Sequence, residues 1–338
     1  MKLGHYSSGQ PIPLPSPPGT PEQVHVLSED EILAINAARA AERALLVRGE
    51  PGTGKTQLAK AAAIALKRAF VSVTVDSRTD ARDLLWHFDA VSRLAQAQVP
   101  DGDGPDRPRK QPRRRDLAVA RFIQPRALWW AFDWRDALGQ ARRAGATQPP
   151  HVEGCDAQNG VVVLIDEIDK ADAEVPNGLL EALGVGEFTP RGYNRPVKCV
   201  PVRCEGRLEG PLVIITTNDE RSLPDAFVRR CLVLHLELPD NPDDLTAHLV
   251  RCGTAHFGTD VDPDILALAA GLLVRDRLRA REENWRPFPG QAEFLDLVRA
   301  VKTLAPGDKT KQETEIRRVA PFAFLKHADA FKAAKMNP

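Results

Sequence analysis

Apolar and polar positions follow two patterns along the chain, one typical of an α/β domain and one typical of helices alone. Up to about residue 240, short continuous apolar runs alternate with segments of helical period. Such runs are expected where helices cover both faces of a parallel sheet. They predict buried strands at 44–47, 71–75, 161–165 and 212–216, with 233–238 as a candidate fifth strand.

Segments of helical period lie between and after these runs. The Ala-rich segment 57–70 predicts a helix after the first strand, and 81–97 predicts another. Beyond residue 242 the helical period continues without strand patterns, at roughly 243–256, 263–282, 290–303 and 318–335. This change predicts an α/β domain at 26–240 and an all-helical domain at 241–338.

Two segments show neither pattern. Residues 1–25 contain clustered prolines, which predict an extended or disordered arm, and a capping box at 28–31 marks where order is expected to begin. Residues 100–115 are rich in Pro, Gly and Arg and predict a surface insertion at about 98–120. We favour a solvated loop here over a docking site for nucleic acid or an acidic partner.

A Gly-rich motif follows the first predicted strand and opens a predicted helix. Residues 49–56 fit G-x-x-x-x-G-K-[ST] at every fixed position. Such a loop directs backbone N–H groups at phosphate oxygens, and the helix N-terminus adds partial positive charge. Lys55 supplies a charge for the β- and γ-phosphates, and the Thr56 hydroxyl is a ligand for Mg²⁺. The predicted ATP-binding residues are Gly49, Glu50, Pro51, Gly52, Thr53, Gly54, Lys55 and Thr56.

Two adjacent carboxylates, Asp166 and Glu167, follow the strand predicted at 161–165. The carboxyl ends of parallel strands meet at one edge of a sheet, the edge that also carries the Gly-rich motif. Adjacent carboxylates repel each other near a core, so a bound cation is the natural reason for the pair. We expect Asp166 to hold Mg²⁺ and Glu167 to act as general base on the attacking water.

Two weaker signals extend the candidate site. Asn218 follows the strand predicted at 212–216, where its amide offers a donor and an acceptor near the γ-phosphate. Arg229 and Arg230 lie on a short predicted helix. An arginine that reaches a neighbouring subunit's γ-phosphate stabilises charge in the transition state, which requires an oligomer. The alternative for both arginines is a solvated helix face.

In this order the motifs resemble those of an AAA+ ATPase, from about residue 28 to about 239. Residues 49–56 resemble Walker A, 161–167 Walker B, Asn218 sensor 1, and 223–230 the arginine-finger segment. Within that group the chain resembles the MoxR-like branch of the dynein-related subfamily. That likeness is carried by 83–86 with 122–125, similar to the helix-2 insertion of the branch, and by 180–189, similar to its run into a β-hairpin.

The resemblance implies a P-loop NTPase: a three-layer α/β/α sandwich with a parallel five-stranded sheet, and a C-terminal all-helical lid domain. It implies a hexameric ring with ATP and Mg²⁺ at subunit interfaces. The insertion at about 98–120 and a β-hairpin at about 186–210 would face the pore or a bound protein. Family members act as chaperone-like remodellers, often with a von Willebrand factor A domain partner. No sensor-2 arginine is identifiable, and Arg286 is a weak substitute.

Composition narrows the setting. The 338 residues include 46 Lys and Arg against 46 Asp and Glu, a balance that argues against a protein that coats nucleic acid. The apolar runs are too short to span a bilayer, and no signal peptide is recognisable. Five cysteines suit reduced thiols, so we expect a cytoplasmic protein. A metal site at His151, Cys155, Cys199 and Cys204 is conceivable, but the spacing matches no zinc pattern.

Three functions remain in competition. We favour an ATP-driven remodeller of a protein client. The second is a nucleic-acid-linked motor or restriction subunit, supported only by the basic residues at 100–115. The third is a nucleotide-gated scaffold with slow turnover, against which the Asp166–Glu167 pair argues. The aromatic cluster that includes Trp129 and Trp130 is predicted to be core or subunit interface, not a ligand site.

Overall fold

The computed structural model describes residues 1–16, 19–98, 118–204 and 206–336, with side chains up to residue 332. Most of the predicted insertion at about 98–120 lies outside these residues. The chain forms two compact units. The first unit comprises Met1–Leu33, Val47–Ala61 and Leu234–Pro338, and the second comprises Ala34–Leu46 and Ala62–Val233.

The helices and strands of the described residues are as follows. The strands are β1 Lys2–Leu3, β2 Tyr6–Ser7, β3 Pro11–Leu14, β4 Gln23–Val26, β5 Leu45–Arg48, β6 Arg68–Thr74, β7 Trp86–Phe88, β8 Ile123–Pro125, β9 Asp156–Asp166, β10 Glu187–Phe188, β11 Val197–Lys198, β12 Val202–Cys204, β13 Arg207–Glu209, β14 Leu212–Thr217 and β15 Leu232–His235. The α-helices are α1 Glu29–Ala41, α2 Lys55–Ala65, α3 Ala90–Gln98, α4 Ala127–Phe132, α5 Trp134–Ala144, α6 Glu174–Val185, α7 Asp225–Val228, α8 Pro242–Phe257, α9 Pro263–Glu282, α10 Gln291–Leu304, α11 Lys309–Phe324 and α12 Ala328–Met336.

The main sheet has five strands in the order β15-β5-β14-β9-β6, of which β14, β9 and β6 belong entirely to the second unit. Strand β9, the fourth in this order, pairs in parallel with both β14 and β6. Residues 161–165 of β9 are at most 3% exposed, because helices and loops cover both faces. The side chains of Trp129, Trp130 and Phe132 on α4 lie in this core. The predicted fold class, an α/β fold with a parallel five-stranded sheet and a helical C-terminal region, is confirmed.

Long-range pairing overrides two of the predicted helices. The helix predicted at 57–70 ends at Ala65, because Lys67 has a φ of 53° and residues from Arg68 onward join the sheet as β6. The segment predicted as a helix at 81–97 contains the strand β7, which pairs antiparallel with β8. Local propensity is a weak guide where a distant strand completes the backbone hydrogen bonds.

Residues 1–25, predicted as an extended or disordered arm, contain paired strands in the part that the structure describes. Strands β3 and β4 form an antiparallel pair, and Ile12 and Leu14 are buried within the first unit. The alternation in Pro-Ile-Pro-Leu places both prolines on the exposed face. Alternate residues of an edge strand direct their N–H groups away from the partner, so prolines at 11 and 13 cost the ladder no hydrogen bond.

Packed helices form the C-terminal part of the first unit. Leu249, Leu273, Phe294 and Ile316, from α8 to α11, are fully buried in one apolar cluster. Helices α8, α9 and α11 each begin after a side chain that accepts a hydrogen bond from the first turn. The helix predicted at 318–335 is divided between α11 and α12. No helix among the described residues is both long and apolar enough to cross a membrane.

A buried ion pair fastens the edge of the sheet in the second unit. Arg68 on β6 is 1% exposed and donates to a carboxylate oxygen of Glu209 on β13 at 2.5 Å, and Arg39 on α1 binds the other oxygen at 3.0 Å. Burial, the largest influence, tends to raise the pKa of Glu209. The hydrogen bonds and charges of the two arginines outweigh it and hold this pKa below its ordinary value.

We expect Glu209→Gln to lower the free energy of unfolding of the second unit by about 3 kcal/mol, because a buried arginine loses its counter-charge. The pKa of Glu209 is lower in the folded protein than the unfolded value of 4.5, so its ion pairs contribute fully to stability above pH 4.5. As the pH falls below 4.5 this contribution is lost, and the difference in unfolding free energy between wild type and Glu209→Gln becomes smaller. Urea unfolding at pH 7 and pH 4 measures both effects. Glu187→Gln is the control, since the exposed Glu187–Lys198 pair contributes about 0–1 kcal/mol. An equal loss of unfolding free energy in Glu209→Gln and Glu187→Gln would contradict the stabilising role of the buried ion pair.

Candidate functional site

The Gly-rich loop at 49–54 has no room for side chains at two of its glycines. A Cβ at Gly49 would collide with the carbonyl oxygen of Leu236, and one at Gly52 would lie 2.9 Å from the Ala292 Cβ. Gly52 also has a φ of 80°, which an L-residue rarely adopts. The loop is therefore fixed by close backbone approach to other parts of the first unit. Such a loop can present its N–H groups to an anion.

Lys55 begins α2, and its ammonium group is held against the loop. The side chain is 7% exposed, and Nζ donates to the carbonyl oxygens of Gly49 and Glu50 at 2.7 and 2.9 Å. The Thr53 hydroxyl donates to the same Glu50 carbonyl at 2.9 Å. A buried cation at a helix N-terminus favours the approach of a strong anion.

A second cation, which the sequence pattern did not single out, also contacts the loop. Arg277 on α9 is 2% exposed, and its Nη2 donates to the Glu50 carboxylate at 2.6 Å. Its Nη1 donates to the carbonyl oxygen of Pro289 at 2.9 Å. In the sequence Arg277 stands in a helix rich in charged residues, a pattern that reads as a solvated face. Only the packing of α9 identifies it as a buried group that fixes the side chain of Glu50.

The N-terminal strand β4 brings a histidine to the loop. The ring of His25 would lie 3.5 Å from a Cβ at Gly54, and its Nε2 lies 3.0 Å from Oε1 of Glu31. Both side chains are buried. Burial, the largest influence, tends to raise the pKa of Glu31, but the interactions with His25 and the hydrogen bonds from Ser28 together hold this pKa below its ordinary value. Residues predicted as an arm are thus part of the surroundings of the loop.

The two carboxylates that end β9 in the second unit are organised by one hydroxyl. Thr216, fully buried at the end of β14, donates to Oδ1 of Asp166 at 2.5 Å and accepts from the backbone N–H of Glu167 at 2.9 Å. Glu167 has a φ of 61°, so the chain turns sharply as the strand ends. A non-glycine residue in this conformation is uncommon and concentrates at functional sites. Thr216 is thus a positioning residue that the sequence pattern left unassigned.

The Glu167 carboxylate has a partner at each oxygen. The Asn218 amide donates to Oε1 at 3.4 Å, and Lys170 donates to Oε2 at 2.6 Å. The hydrogen bond to Glu167 is the largest of the influences that raise the pKa of Lys170. Asp169, 1% exposed, accepts from the backbone N–H groups of Asn218 and Glu220 and so fixes the turn after β14. The structure therefore brings together Asp166, Glu167 and Asn218 as the sequence predicted.

The two predicted arginines are surface residues. Arg229 and Arg230 follow α7 directly, and both are exposed. Arg43, which lies just before β5, donates a hydrogen bond of 3.3 Å from Nη1 to the carbonyl oxygen of Arg229 at the end of α7. Their side chains are accessible to a neighbouring molecule, a position that both the finger and the solvated-face interpretations allow.

The cysteines give no sign of reactive chemistry. Burial raises the pKa of Cys231 and of Cys252 to about 11, so both are protonated thiols at neutral pH. The Sγ of Cys204 lies 3.1 Å from the carbonyl oxygen of Asn159 as a hydrogen-bond donor. Within the described ranges, no group of three or more His, Cys, Asp or Glu side chains is placed to hold a metal ion.

Comparison with known proteins adds a family match to this geometry. Residues 44–103 match the AAA domain of the dynein-related subfamily. This match spans β5, the Gly-rich loop, α2 and β6, and it supports an AAA+ ATPase. No curated protein matches the chain at a significant level.

Two mutant forms of RuvB from Thermotoga maritima are similar in structure. For one of them, the sequence identity is 12%, the alignment covers 86% of this chain and 69% of the RuvB chain, and the TM-score is 0.44. For the other, the sequence identity is 14%, the alignment covers 86% of this chain and 67% of the RuvB chain, and the TM-score is 0.41. At such values we draw no conclusion about function from either protein.

We expect Thr216→Val to lower the free energy of unfolding by about 1–3 kcal/mol, because the Glu167 N–H loses its acceptor inside the protein. Valine matches the shape of threonine, so packing changes little. Thr216→Ser keeps the hydroxyl and should retain most of the stability. Urea unfolding compares the three proteins; a serine variant weaker than the valine variant would show that the methyl group, not the hydroxyl, matters.

Proposed function

We propose that this chain is a Mg²⁺-dependent AAA+ ATPase that binds ATP through residues 49–56 and hydrolyses it to ADP and phosphate. The observation that carries the proposal is the tight loop around Lys55. Gly49 and Gly52 approach Leu236 and Ala292 too closely for side chains, and the buried ammonium of Lys55 donates to the loop carbonyls of Gly49 and Glu50. A curled backbone, a helix N-terminus and a cation together make a site for a polyphosphate.

The residues present fit Mg²⁺ bound together with a nucleotide. Thr56 and Asp166 supply hydroxyl and carboxylate oxygens, the ligand type that Mg²⁺ prefers, and the Thr216 hydroxyl fixes one oxygen of Asp166. When bound, Mg²⁺ neutralises charge that develops on the β- and γ-phosphates. The scarcity of protein ligands is in keeping with this role, since Mg²⁺ at nucleotides keeps waters and phosphate oxygens as its other ligands.

Glu167 is the proposed general base. The Asn218 amide and the Lys170 ammonium hold its two carboxylate oxygens, so the side chain is oriented before substrate arrives. In this proposal Glu167 accepts the proton of the attacking water, and Asn218 positions both the carboxylate and the water. Lys55 stabilises negative charge on the departing phosphate oxygens.

The finer proposal is a ring-forming, chaperone-like remodeller of a protein client, of the MoxR-like branch. The ring would be a hexamer in the cytoplasm, and its partner would be a von Willebrand factor A domain protein. Support comes from the dynein-related subfamily match and from the exposure of Arg229 and Arg230, which suits a contact with a neighbouring subunit. The basic residues behind the nucleic-acid alternative lie outside the described residues.

We expect Lys55→Ala to weaken ATP binding at least about 30-fold, because a charge-assisted contact to phosphate is lost. Glu167→Gln should retain binding while kcat falls at least about 100-fold, the usual contribution of a general base. Fluorescent-nucleotide titration and a steady-state phosphate assay measure these effects. Lys60→Ala, on the same helix, is the matched control and should behave as wild type.

The outcomes of this pair of variants separate the alternatives. Wild-type turnover no faster than that of Glu167→Gln would favour the nucleotide-gated scaffold. ATP binding unchanged in Lys55→Ala would remove the proposal altogether. Stimulation of hydrolysis by DNA or RNA, sensitive to salt, would favour the nucleic-acid motor.

We expect an arginine-finger double variant, Arg229→Ala with Arg230→Ala, to hydrolyse ATP at least about 100-fold more slowly while it still binds ATP. Mixed in equal amounts with Glu167→Gln, it should regain part of the activity, because some interfaces then combine an intact Glu167 with an intact finger. Steady-state assays of the separate and mixed proteins test this. If the double variant hydrolyses ATP at the wild-type rate, or if ATP leaves the protein monomeric, the ring mechanism is wrong.

A further inference from the structure

A cavity of about 470 Å³ lies within the C-terminal helices of the first unit, away from the residues discussed so far. Helices α9, α11 and α12 and the loop after α9 line it. Its floor is apolar and buried: Leu272, Ala320, Phe324 and Ala330 are between 2% and 9% exposed. This volume lies within the range of about 300–1,000 Å³ that is usual for ligand pockets.

The charged residues at the rim are almost all of one sign. Arg275, Arg279, Arg317 and Lys326 line the cavity, and Asp276 is the acidic residue among them. Asp276 is already bound by Arg275, with 2.9 Å between the guanidinium and the carboxylate. For the other three rim cations no acidic partner is found among the described side chains. A recess lined by charges of one sign concentrates ligands of the opposite sign.

An aromatic wall holds part of this rim in place. The Arg279 guanidinium lies 5.4 Å from the centre of the Trp285 ring, in a cation–π arrangement. The rings of Trp285 and His327 are nearly parallel, with centroids 6.2 Å apart. Trp285 is anchored by its backbone N–H, which donates to the carbonyl oxygen of Ala280 at 2.7 Å. The arginine is thus kept at the cavity mouth and is not spread over the surface.

We propose that this cavity is a docking site for an acidic peptide segment that inserts one large apolar side chain. The buried floor requires an apolar group, and Arg279, Arg317 and Lys326 require carboxylates beside it. A peptide supplies both within a few residues. A small inorganic anion would leave the floor uncovered, and a nucleobase would bring the polar edges of its ring against an apolar floor. The proposal goes beyond nucleotide hydrolysis and does not depend on it.

The test is fluorescence anisotropy with labelled heptapeptides in which Glu and Asp flank a central Phe, Leu or Trp. The control peptide has Ser at the centre. We expect at least one apolar-centred peptide to bind about tenfold or more tightly than the Ser peptide, as burial of one large side chain provides. Arg279→Glu and Arg317→Glu together should weaken that binding about tenfold, because two attractions become repulsions.

A matched variant separates the cavity from general surface charge. Arg318 is the next residue on α11, is exposed, does not line the cavity, and pairs with Glu315 at 2.6 Å. Arg318→Glu should leave peptide binding within about twofold of wild type, as expected for a distant exposed charge. All substituted side chains are exposed, so thermal unfolding should confirm that each variant folds as wild type.

Three results would overturn the proposal. The first is an apolar-centred panel that binds no more tightly than the Ser peptide. The second is equal weakening by Arg318→Glu and Arg317→Glu, which would indicate diffuse attraction to the surface. The third is tighter binding of a short oligothymidylate than of every peptide, with that binding lost in the Arg279–Arg317 double variant. This result would make the cavity a nucleic-acid site.

Discussion

The tightly curled backbone at 49–54 constrains the residues of the first unit that pack against it. The loop is closed by approaches that leave no space for a Cβ at Gly49 or Gly52. The Glu50 carbonyl accepts from both Lys55 and Thr53, while Arg277 binds the Glu50 side chain. A phosphate-binding backbone must be rigid before its ligand arrives, because ordering it on binding would cost conformational entropy. The surrounding contacts supply that rigidity.

In the second unit the main constraint is the repulsion between two adjacent carboxylates, Asp166 and Glu167, beside the hydrophobic core. The Thr216 hydroxyl serves Asp166 and the Glu167 backbone at once, and Lys170 and Asn218 divide the oxygens of the Glu167 side chain. Each acidic group is thus held by donors, and the positive φ at Glu167 separates the two side chains. Buried polar groups are tolerated where such a network is complete. The same hydrogen bonds fix the orientation of both carboxylates.

Buried arginines show how charge is used for structure as well as function. Arg68 and Arg277 are both almost fully buried, and each is paired with a glutamate that is distant in the sequence. Arg68 holds the edge strand of the sheet, and Arg277 holds the Gly-rich loop. Arg279, Arg317 and Lys326 at the C-terminal cavity are the opposite case, since they are exposed and no acidic partner is found for them among the described side chains. That contrast is what separates a structural arginine from one placed for a ligand.

The sequence by itself determined the parallel sheet, the Gly-rich loop and the pairing of Asp166 with Glu167, because hydrophobic period and motif spacing are local properties. It did not determine the strands of the first 25 residues, where proline content outweighed an alternation of only four residues. Nor did it identify Thr216 or Arg277. A buried threonine and a helical arginine look ordinary until packing sets their neighbours, since burial and hydrogen-bond partners are decided by tertiary contacts between residues far apart in the chain.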